Sequence, residues 1–164
     1  MKNKSRLLGI TYASVIAAMY VVLTLISYAF GLSSGAVQVR LSEALVTLAY
    51  LTPAAIPGLA VGCLISNLLT GAVPADVVLG TLATFIGALG TYALRKLPAP
   101  LSPLPPIAAN VLAVPLILRY GYGVTAGIPY LMLTVGAGEL VSCGIFGLAV
   151  LYSAKKLRIF SPRR

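Results

Sequence analysis

The segment from Ala36 to Glu43 reads Ala-Val-Gln-Val-Arg-Leu-Ser-Glu and lies between two strongly apolar stretches. An amide, a guanidinium, a hydroxyl and a carboxylate fall within its last six residues. Inside a membrane such groups are costly, and they mark the places where a protein handles its solute. We therefore predict a small multi-span membrane protein whose outer half forms a solute pocket.

The composition around this segment excludes a soluble domain. Of the 164 residues, 59% are hydrophobic and only 9% are charged, whereas soluble domains carry about 25% charged residues. The net charge is +9, but the basic residues lie mostly at the ends of apolar segments and in the tails, without a stripe of interleaved aromatics. We therefore expect a lipid bilayer as surroundings and no nucleic acid as partner.

Six apolar segments follow one another along the chain. The first is longer than the apolar region of a signal peptide, which has about 7–15 residues, and suits the roughly 20 residues that cross a bilayer. The second is short and the third begins with proline, a pattern typical of helices that line transporter cavities. We predict an all-α integral membrane protein, one domain over residues 1–164, with six transmembrane helices at 7–30, 41–51, 53–69, 77–94, 107–118 and 128–152.

The distribution of lysine and arginine predicts the orientation of these helices. With six spans, the N-terminus, the 95–106 loop and the C-terminal tail share one side and carry ten basic residues. The opposite side carries two, Arg40 and Arg119. The positive-inside rule then places both termini in the cytoplasm and the chain in the cell membrane.

Prolines and one acidic residue mark further boundaries. Five prolines between residues 97 and 106 predict a stiff loop without regular helix, and Pro115 is expected to break the fifth helix. Asp76 follows the turn at 71–74. A carboxylate at a helix N-terminus is favourable, so we predict that Asp76 caps the fourth helix rather than contacts a ligand.

Glu139 lies near the middle of the sixth segment. A charge there costs about 2.5–3.5 kcal/mol on insertion scales, so its side chain should face protein or water. Ligand contact, an ion pair with Arg40 or Arg119, and a protonated, hydrogen-bonded carboxyl are the three interpretations.

Four more polar residues are candidates for ligand contact. Arg40 and Glu43 are three apart and can share a helix face, where they contact ligand or form a local ion pair. Gln38 and Asn67 each offer one acceptor and two amide protons, which suits the edge of a heterocycle; a cap or an interhelical hydrogen bond is the alternative. The predicted substrate-binding residues are Gln38, Arg40, Glu43, Asn67 and Glu139.

Ala13 and Ala17 place two small side chains on one face of the first helix, and Ala18 broadens that face. Such a face lets another helix approach closely. The approaching helix belongs either to a partner protein or to the chain itself.

The sequence gives no support for catalysis, cofactors or metals. It has no phosphate-binding Gly-x-x-x-x-Gly-Lys-Ser/Thr motif, no histidine for triads or common zinc sites, and no acidic cluster for a metal. Cys63 and Cys143 are isolated, as small buried hydrophobes are. We expect no enzymatic activity, no catalytic residue, no cofactor and no metal site.

Four blocks of sequence resemble the QueT-like family of queuosine-precursor transporters, which are substrate-binding S components of energy-coupling factor (ECF) importers. The most specific block is Val-Gln-Val-Arg-Leu-Ser-Glu-Ala-Leu at residues 37–45. The others are Thr-Pro-Ala-Ala-Ile-Pro-Gly-Leu at 52–59, Asn-Leu-Leu at 67–69 and Gly-Glu-Leu at 138–140. The resemblance covers nearly the whole chain.

The resemblance implies an S-component-like bundle of six helices in a bacterial cell membrane. It would capture a 7-deazaguanine such as preQ0, preQ1 or queuine from outside. It would then release the solute inward on docking to a transmembrane coupling protein and two ATPase subunits. The docking surface of the family maps here to Ala13 and Ala17.

A 7-deazaguanine ring also suggests roles for the polar residues. Glu139 or Glu43 would accept hydrogen bonds from the ring N–H and the exocyclic amine, while Gln38, Arg40 or Asn67 would contact the carbonyl oxygen. Stacking would come from an aromatic side chain, with Tyr50, Phe85 and Tyr130 as candidates. The rival hypotheses are an S component for another vitamin-like solute, a structural membrane subunit without a ligand, and a membrane enzyme.

Overall fold

The computed structural model describes residues 2–32 and 38–160, with side chains from Arg6 onward. Ala36 and Val37 of the polar segment, and Arg163 and Arg164 of the basic tail, lie outside the described residues. Within them the structure is all-helical, as predicted. Four helices are long and apolar enough to cross a bilayer, at Arg6–Ala29, Asp76–Lys96, Ala99–Gly121 and Ile128–Lys156, and two shorter apolar helices lie at Leu41–Tyr50 and Ala55–Leu69.

The six α-helices and one 3-10 helix have the following bounds: α1 Lys2–Ala29, the 3-10 helix Leu41–Tyr50, α2 Ala55–Leu69, α3 Thr81–Ala93, α4 Leu104–Leu116, α5 Ile128–Glu139 and α6 Gly147–Lys156. Three π-helical segments lead into α3, extend α4, and join α5 to α6, at Asp76–Gly80, Ile117–Gly121 and Leu140–Phe146. Short 3-10 turns lie at Leu94–Lys96 and Ala99–Leu101. Because π-helical turns often occur at functional sites, the residues beside these segments are candidates for a functional role.

The outside of the bundle is apolar, and its interior contains polar side chains beside a hydrophobic core. Large apolar side chains are exposed along the long helices, for example Leu7, Val22, Leu112 and Leu133. The buried polar side chains include Ser27, Ser42, Glu43, Thr47, Ser66, Asn67, Asp76, Thr84, Thr91, Asn110, Glu139 and Ser142. Contiguous apolar surface of this kind suits contact with lipid rather than water.

The 3-10 helix is the centre of the bundle. Every residue from 42 to 49 is buried, because the helix packs against α1, α2, α3, α6 and the Leu140–Phe146 segment. Ten residues is long for this helix type, which rarely exceeds one turn or so. Its first turn carries Glu43 into the protein interior.

Glycines of α2 allow α1 and α2 to approach closely. A Cβ added at Gly58 would lie 2.5 Å from the carbonyl oxygen of Ala13, and one added at Gly62 would lie 3.0 Å from that of Ala17. Gly58 and Gly62 therefore form the small-x-x-x-small face that the backbone of Ala13 and Ala17 packs against.

The structure corrects two expectations about proline. The helix predicted from residue 107 begins at Leu104, with Pro105 and Pro106 in its first turn, where the missing N–H of proline costs nothing. Pro115 does not break the helix: α4 continues past it into the π-helical segment Ile117–Gly121. Proline lacks the N–H that the helix would use at this position, and the π-helical segment begins two residues later.

Candidate functional site

A cavity of about 400 Å³ lies at the end of the bundle where α1 ends and the Asp76–Gly80 segment begins. We call it the outer pocket, because the sequence predicts that this end of the bundle faces outward. Its walls are Thr24, Tyr28, Gln38, Arg40, Asn67, Thr70, Gly71, Ala72, Asp76, Leu118, Tyr122 and Val124. Small-molecule sites usually measure about 300–1,000 Å³, so the outer pocket can hold a compact heterocycle.

An ion pair crosses the outer pocket. Arg40 Nη2 lies 3.5 Å from Asp76 Oδ2, and the Tyr122 hydroxyl donates to the same oxygen at 3.0 Å. Burial raises the pKa of the Tyr122 phenol above its ordinary 10.0, and the neighbouring Asp76 carboxylate raises it further. The wall thus presents a guanidinium beside a carboxylate, held by groups from three parts of the chain.

The predicted cap role of Asp76 is wrong, although the residue does lie in the first turn of its helix. Its carboxylate bonds Arg40 and Tyr122, and no side-chain cap is formed at Ala75. Oδ1 of Asp76 is buried and has no hydrogen-bond partner among the described residues. This oxygen packs against Gly80, where an added Cβ would lie 2.5 Å from it.

Asn67 lines the outer pocket and also ties helices together. Its amide nitrogen donates to the backbone carbonyl of Asp76 at 3.1 Å and lies 3.7 Å from the sulfur of Cys63. The interhelical hydrogen bond considered from the sequence is therefore present. The same contact fixes the start of the Asp76–Gly80 segment against α2.

Glu43 and Glu139 do not line the outer pocket. They belong to a buried group that we call the inner cluster, which consists of Tyr20, Glu43, Thr84, Asn110, Glu139 and Cys143. The amide of Asn110 lies 2.9 Å from Glu139 Oε1 and 3.3 Å from Glu43 Oε2, and donates to both carboxylates. Asn110 therefore joins the two acidic side chains across three elements of the fold.

Other donors complete the inner cluster. The Tyr20 hydroxyl donates to Glu43 Oε1, and the Thr84 hydroxyl approaches the same oxygen at 3.4 Å. The Cys143 thiol donates to Glu139 Oε2 at 3.2 Å. Of the interpretations made for Glu139, the structure shows a hydrogen-bonded carboxyl, and neither glutamate forms an ion pair within the described residues.

Glu43, Glu139 and Cys143 are the one group of potential metal ligands in the part of the chain that the structure describes. Their ligand atoms lie within 4.8 Å of one another. The amide protons of Asn110 and the hydroxyl of Tyr20 point at the carboxylate oxygens that a metal ion would need. We therefore assign no metal to this group.

The loop that carries Gln38 and Arg40 separates the outer pocket from Glu139. The backbone of Gln38 lies so close to α5 that a Cβ at Gly138 would overlap with its carbonyl oxygen. Further along, the Arg40 amide donates to the Ser142 hydroxyl at 3.2 Å. The loop is thus seated on the helix that carries Glu139.

The outer pocket and the inner cluster are one helical turn apart. On α1, Thr24 of the pocket donates to the carbonyl of Tyr20 in the cluster. On α2, Asn67 of the pocket lies one turn beyond Cys63, and the thiol of Cys63 accepts from Thr84 at 3.5 Å. One turn of α-helix is about 5.4 Å long, and none of the residues of the inner cluster lines the cavity.

The fold therefore divides the predicted site residues between two places. Gln38, Arg40 and Asn67 come together in the outer pocket, whereas Glu43 and Glu139 come together in the inner cluster. Asn110, Tyr122, Tyr20 and Thr84 were missed. Asn110 is a polar residue in an apolar segment, the signal that had identified Glu139; Tyr122 had no comparable signal.

The aromatic residues of the outer pocket are Tyr28 and Tyr122. Tyr50, Phe85 and Tyr130, the candidates from the sequence, do not line it. The hydroxyl of Tyr50 instead donates to the Leu97 carbonyl at 2.6 Å, and Lys155 lies over its ring. An aromatic ligand in the outer pocket would therefore stack on Tyr28 or Tyr122.

Ala13 and Ala17 are half-buried, and their backbone packs against α2 of the same chain. On the same helix Ser14 and Ala18 are exposed. The small-residue face therefore serves internal packing, and a docking role for it stays a prediction.

Comparison with known proteins gives two matches. The QueT transporter family model matches residues 10–156. A protein named Queuosine precursor transporter QueT, from Lactococcus lactis subsp. cremoris, is 35% identical over 84 residues, which are 51% of this chain and 49% of that protein. The match thus spans about half the length of this relative. No solved structure matches the chain.

Proposed function

Because this chain belongs to the QueT transporter family, we propose that it is the substrate-capturing S component of an ECF-type importer, and that it binds a queuosine precursor in the outer pocket. The precursor is a 7-deazaguanine taken from outside the cell. The family is one of transporters rather than enzymes. The name of the Lactococcus relative supports the choice of solute.

The ion pair between Arg40 and Asp76 in the outer pocket carries this proposal. The ring of a 7-deazaguanine offers an N–H and an exocyclic amine on one edge, next to a carbonyl oxygen. A carboxylate accepts from such paired donors and a guanidinium donates to such an oxygen. Asp76, rather than Glu43 or Glu139, is then the carboxylate that contacts the ring edge, and Arg40 bonds the carbonyl.

The remaining pocket residues fit the same ligand. The Gln38 side chain lies at the pocket wall and offers a further amide. Asn67 contributes mainly by holding Asp76 in place. Tyr28 and Tyr122 supply ring faces, which favour an aromatic heterocycle by stacking.

Transport requires energy from outside this chain. We propose a transmembrane coupling protein and two ATPase subunits as partners, with docking on the α1 side of the bundle near Ala13 and Ala17. Ala13 and Ala17 keep part of their surface exposed beside α2, and the adjacent Ser14 and Ala18 are exposed small residues. A helix from a partner could therefore approach this face without displacing α2.

We propose that both termini lie in the cytoplasm, which puts the outer pocket on the outside of the cell membrane. The described basic residues Arg6, Lys155 and Lys156 are exposed at the opposite end of the bundle, in agreement with the positive-inside rule. Cysteines introduced at Lys156 and at Tyr120, both exposed, would test this in intact cells. An impermeant thiol reagent should label only the second, because Cys63 and Cys143 are buried.

The test of function is equilibrium binding of 7-deazaguanines to the detergent-purified chain, with guanine and riboflavin as competitors. We expect saturable binding that is lost in Asp76→Asn and in Arg40→Gln. The control is Gly144→Ala, because a Cβ at Gly144 meets open space. Absence of binding by the folded wild-type protein would refute the substrate assignment, and turnover of the ligand would point to an enzyme instead.

Docking needs a separate test, in cells that contain the energising module. Leucine at Ala18, which is exposed, should block uptake and leave ligand binding unchanged. Leucine at Met19, which is exposed on the same helix and already large, is the matched control. Normal uptake by the Ala18 variant would remove this face as the docking surface.

A further inference from the structure

We infer that Ser27 and Ser142 are positioning residues for the solute: they hold the backbone at Arg40 and so fix its guanidinium in the wall of the outer pocket. The inference rests on the proposed function, in which Arg40 bonds the carbonyl of the ring. Neither serine lines the outer pocket, so each acts through Arg40 rather than through a contact with ligand.

Arg40 occupies a helix position that its own side chain cannot satisfy. It is the N-cap residue of the 3-10 helix Leu41–Tyr50, with an extended backbone and no side-chain hydrogen bond to the turn that follows. Residues favoured at this position carry a side-chain oxygen that accepts from the first N–H groups of the helix, whereas a guanidinium has only donors. The arginine therefore forms no cap, and its side chain lies in the pocket wall instead.

Two serines from other parts of the chain supply acceptors at this place. The Arg40 N–H donates to the Ser142 hydroxyl at 3.2 Å, and the Leu41 N–H donates to the Ser27 hydroxyl at 3.0 Å. Ser27 lies in the last turn of α1 and Ser142 in the Leu140–Phe146 segment. The two hydrogen bonds thus lie on either side of the Arg40 α-carbon and attach it to two elements of the fold.

Both serines are fully buried. The Ser27 hydroxyl also donates to the Leu23 carbonyl at 2.9 Å, which fixes its direction and leaves its lone pairs for the Leu41 N–H. Alanine in place of either serine would put a methyl group where an N–H needs an acceptor, and such an unpaired donor is costly. Removal of either hydroxyl therefore favours a shift of the backbone at Arg40.

The position of the guanidinium depends on this backbone. Arg40 Nη2 lies 3.5 Å from Asp76 Oδ2, and a ligand carbonyl needs a donor at about 2.7–3.2 Å. Groups that bind a ligand must be held to within about 0.5 Å of the productive geometry by the hydrogen bonds behind them. Ser27 and Ser142 provide that support for Arg40.

The first test needs no ligand and measures the thermal unfolding of the purified full chain in one detergent. Asp76→Asn should lower the unfolding temperature less in the Ser142→Ala protein than in the wild type, because a displaced guanidinium interacts less with Asp76. The matched control is Ser102→Ala, since Ser102 is also fully buried but its hydroxyl has no hydrogen-bond partner among the described residues. An equal drop in all three backgrounds overturns the inference.

The second test separates positioning from stabilisation of the 3-10 helix. Isothermal titration compares 7-aminomethyl-7-deazaguanine with its 6-thioxo counterpart, which keeps the ring N–H and the amine but replaces the carbonyl oxygen by sulfur, a weak acceptor. In the wild type we expect the oxygen compound to bind about tenfold tighter. Ser142→Ala and Ser27→Ala should each bring this ratio close to one by weakening the oxygen compound alone, whereas Ser102→Ala should keep it.

A role of the serines in stability alone would weaken both probes equally and preserve the ratio, and that result overturns the inference. Equal affinity of the wild type for the two probes also overturns it and leaves the proposed function standing. If neither probe binds the folded wild-type protein, the proposed function fails, while the unfolding test still decides whether Ser142 places Arg40 beside Asp76. If one serine variant does not fold, the other gives the same comparison.

Discussion

Arg40 and Asp76 form an ion pair across the outer pocket, with 3.5 Å between Nη2 and Oδ2. The pair joins the loop after α1 to the π-helical segment that precedes α3. Because one residue comes from each element, the distance between the two elements depends on a contact that a ligand would also use.

Removing both partners of the pair should cost less stability than the sum of the two single removals. Asp76→Asn leaves the Arg40 guanidinium without its carboxylate, and we expect a loss of about 1–3 kcal/mol in the free energy of unfolding. The double variant Arg40→Gln/Asp76→Asn should lose less than the sum of the two single changes. Thermal unfolding of the four proteins in one detergent measures this coupling, and strict additivity would show that the pair does not interact.

Gly138 should control the position of the loop that carries Gln38. A Cβ there would overlap with the Gln38 carbonyl oxygen, so Gly138→Ala must displace either the loop or α5. We expect ligand affinity to fall by at least about tenfold, equivalent to 1.4 kcal/mol. Gly136→Ala is the matched control, because its nearest neighbour is a Val111 methyl at 3.4 Å. Equal ligand affinity in the two variants would contradict the close contact of the Gln38 backbone with Gly138.

A change at the contact of α1 with α2 should alter the stability of the protein rather than its affinity for ligand. Gly58→Ala places a methyl group 2.5 Å from the Ala13 carbonyl oxygen, and overpacking of this kind costs about 1–3 kcal/mol. We expect a lower unfolding temperature, measured in detergent, with ligand affinity kept at temperatures where the variant is folded. Gly9→Ala, on the same helix pair but with open space around it, should leave the unfolding temperature unchanged or raise it.

Tyr122 should make stability sensitive to alkaline pH. Burial and Asp76 raise the pKa of its phenol above 10.0 in the folded state. The folded protein therefore holds this proton more tightly than the unfolded chain, so the stabilisation is complete below pH 10 and is lost as the pH rises through the folded pKa. Unfolding temperatures from pH 8 to 11 should fall less steeply for Tyr122→Phe than for the wild type, and identical slopes would rule this coupling out.

The same substitution should also weaken the outer pocket at neutral pH. Tyr122→Phe removes the 3.0 Å hydrogen bond to Asp76 Oδ2, a loss of about 1.5–3 kcal/mol for a bond to a charged group. Because Tyr122 is only partly buried, we expect the lower end of this range, a loss of about tenfold in ligand affinity. Titration at pH 7 measures it, and unchanged affinity would show that Asp76 needs no support from Tyr122.

Sequence reasoning predicted the all-helical, apolar fold, but not how its polar residues group. Composition and apolar run length are local properties, and they sufficed to locate four helices long enough to cross a bilayer and two shorter apolar ones. The grouping depends on contacts between distant parts of the chain, such as Arg40 with Asp76 and Asn110 with Glu43. Asp76 was misassigned because its position in a first helical turn is also what a cap would show, and only the tertiary structure reveals Arg40 and Tyr122 beside it.

The predicted bounds of α4 were wrong at both ends, because the effect of proline on a helix depends on its position within that helix. Five prolines in ten residues predicted a loop, yet two of them fall in the first turn of α4, where proline is favourable. The interruption expected at Pro115 is absent, and a π-helical segment begins two residues later. Neither outcome follows from the number of prolines alone, because both depend on where the helix starts.

The buried 3-10 helix has a consequence for how this protein enters the membrane. Ten residues at about 2.0 Å each extend only about 20 Å, short of the roughly 30 Å hydrocarbon layer, and residues 42–49 are covered by protein rather than lipid. Such a segment has no stable place in a bilayer until its neighbours have arrived. The place of Leu41–Tyr50, Glu43 included, therefore depends on the helices around it, of which α6 comes last in the chain.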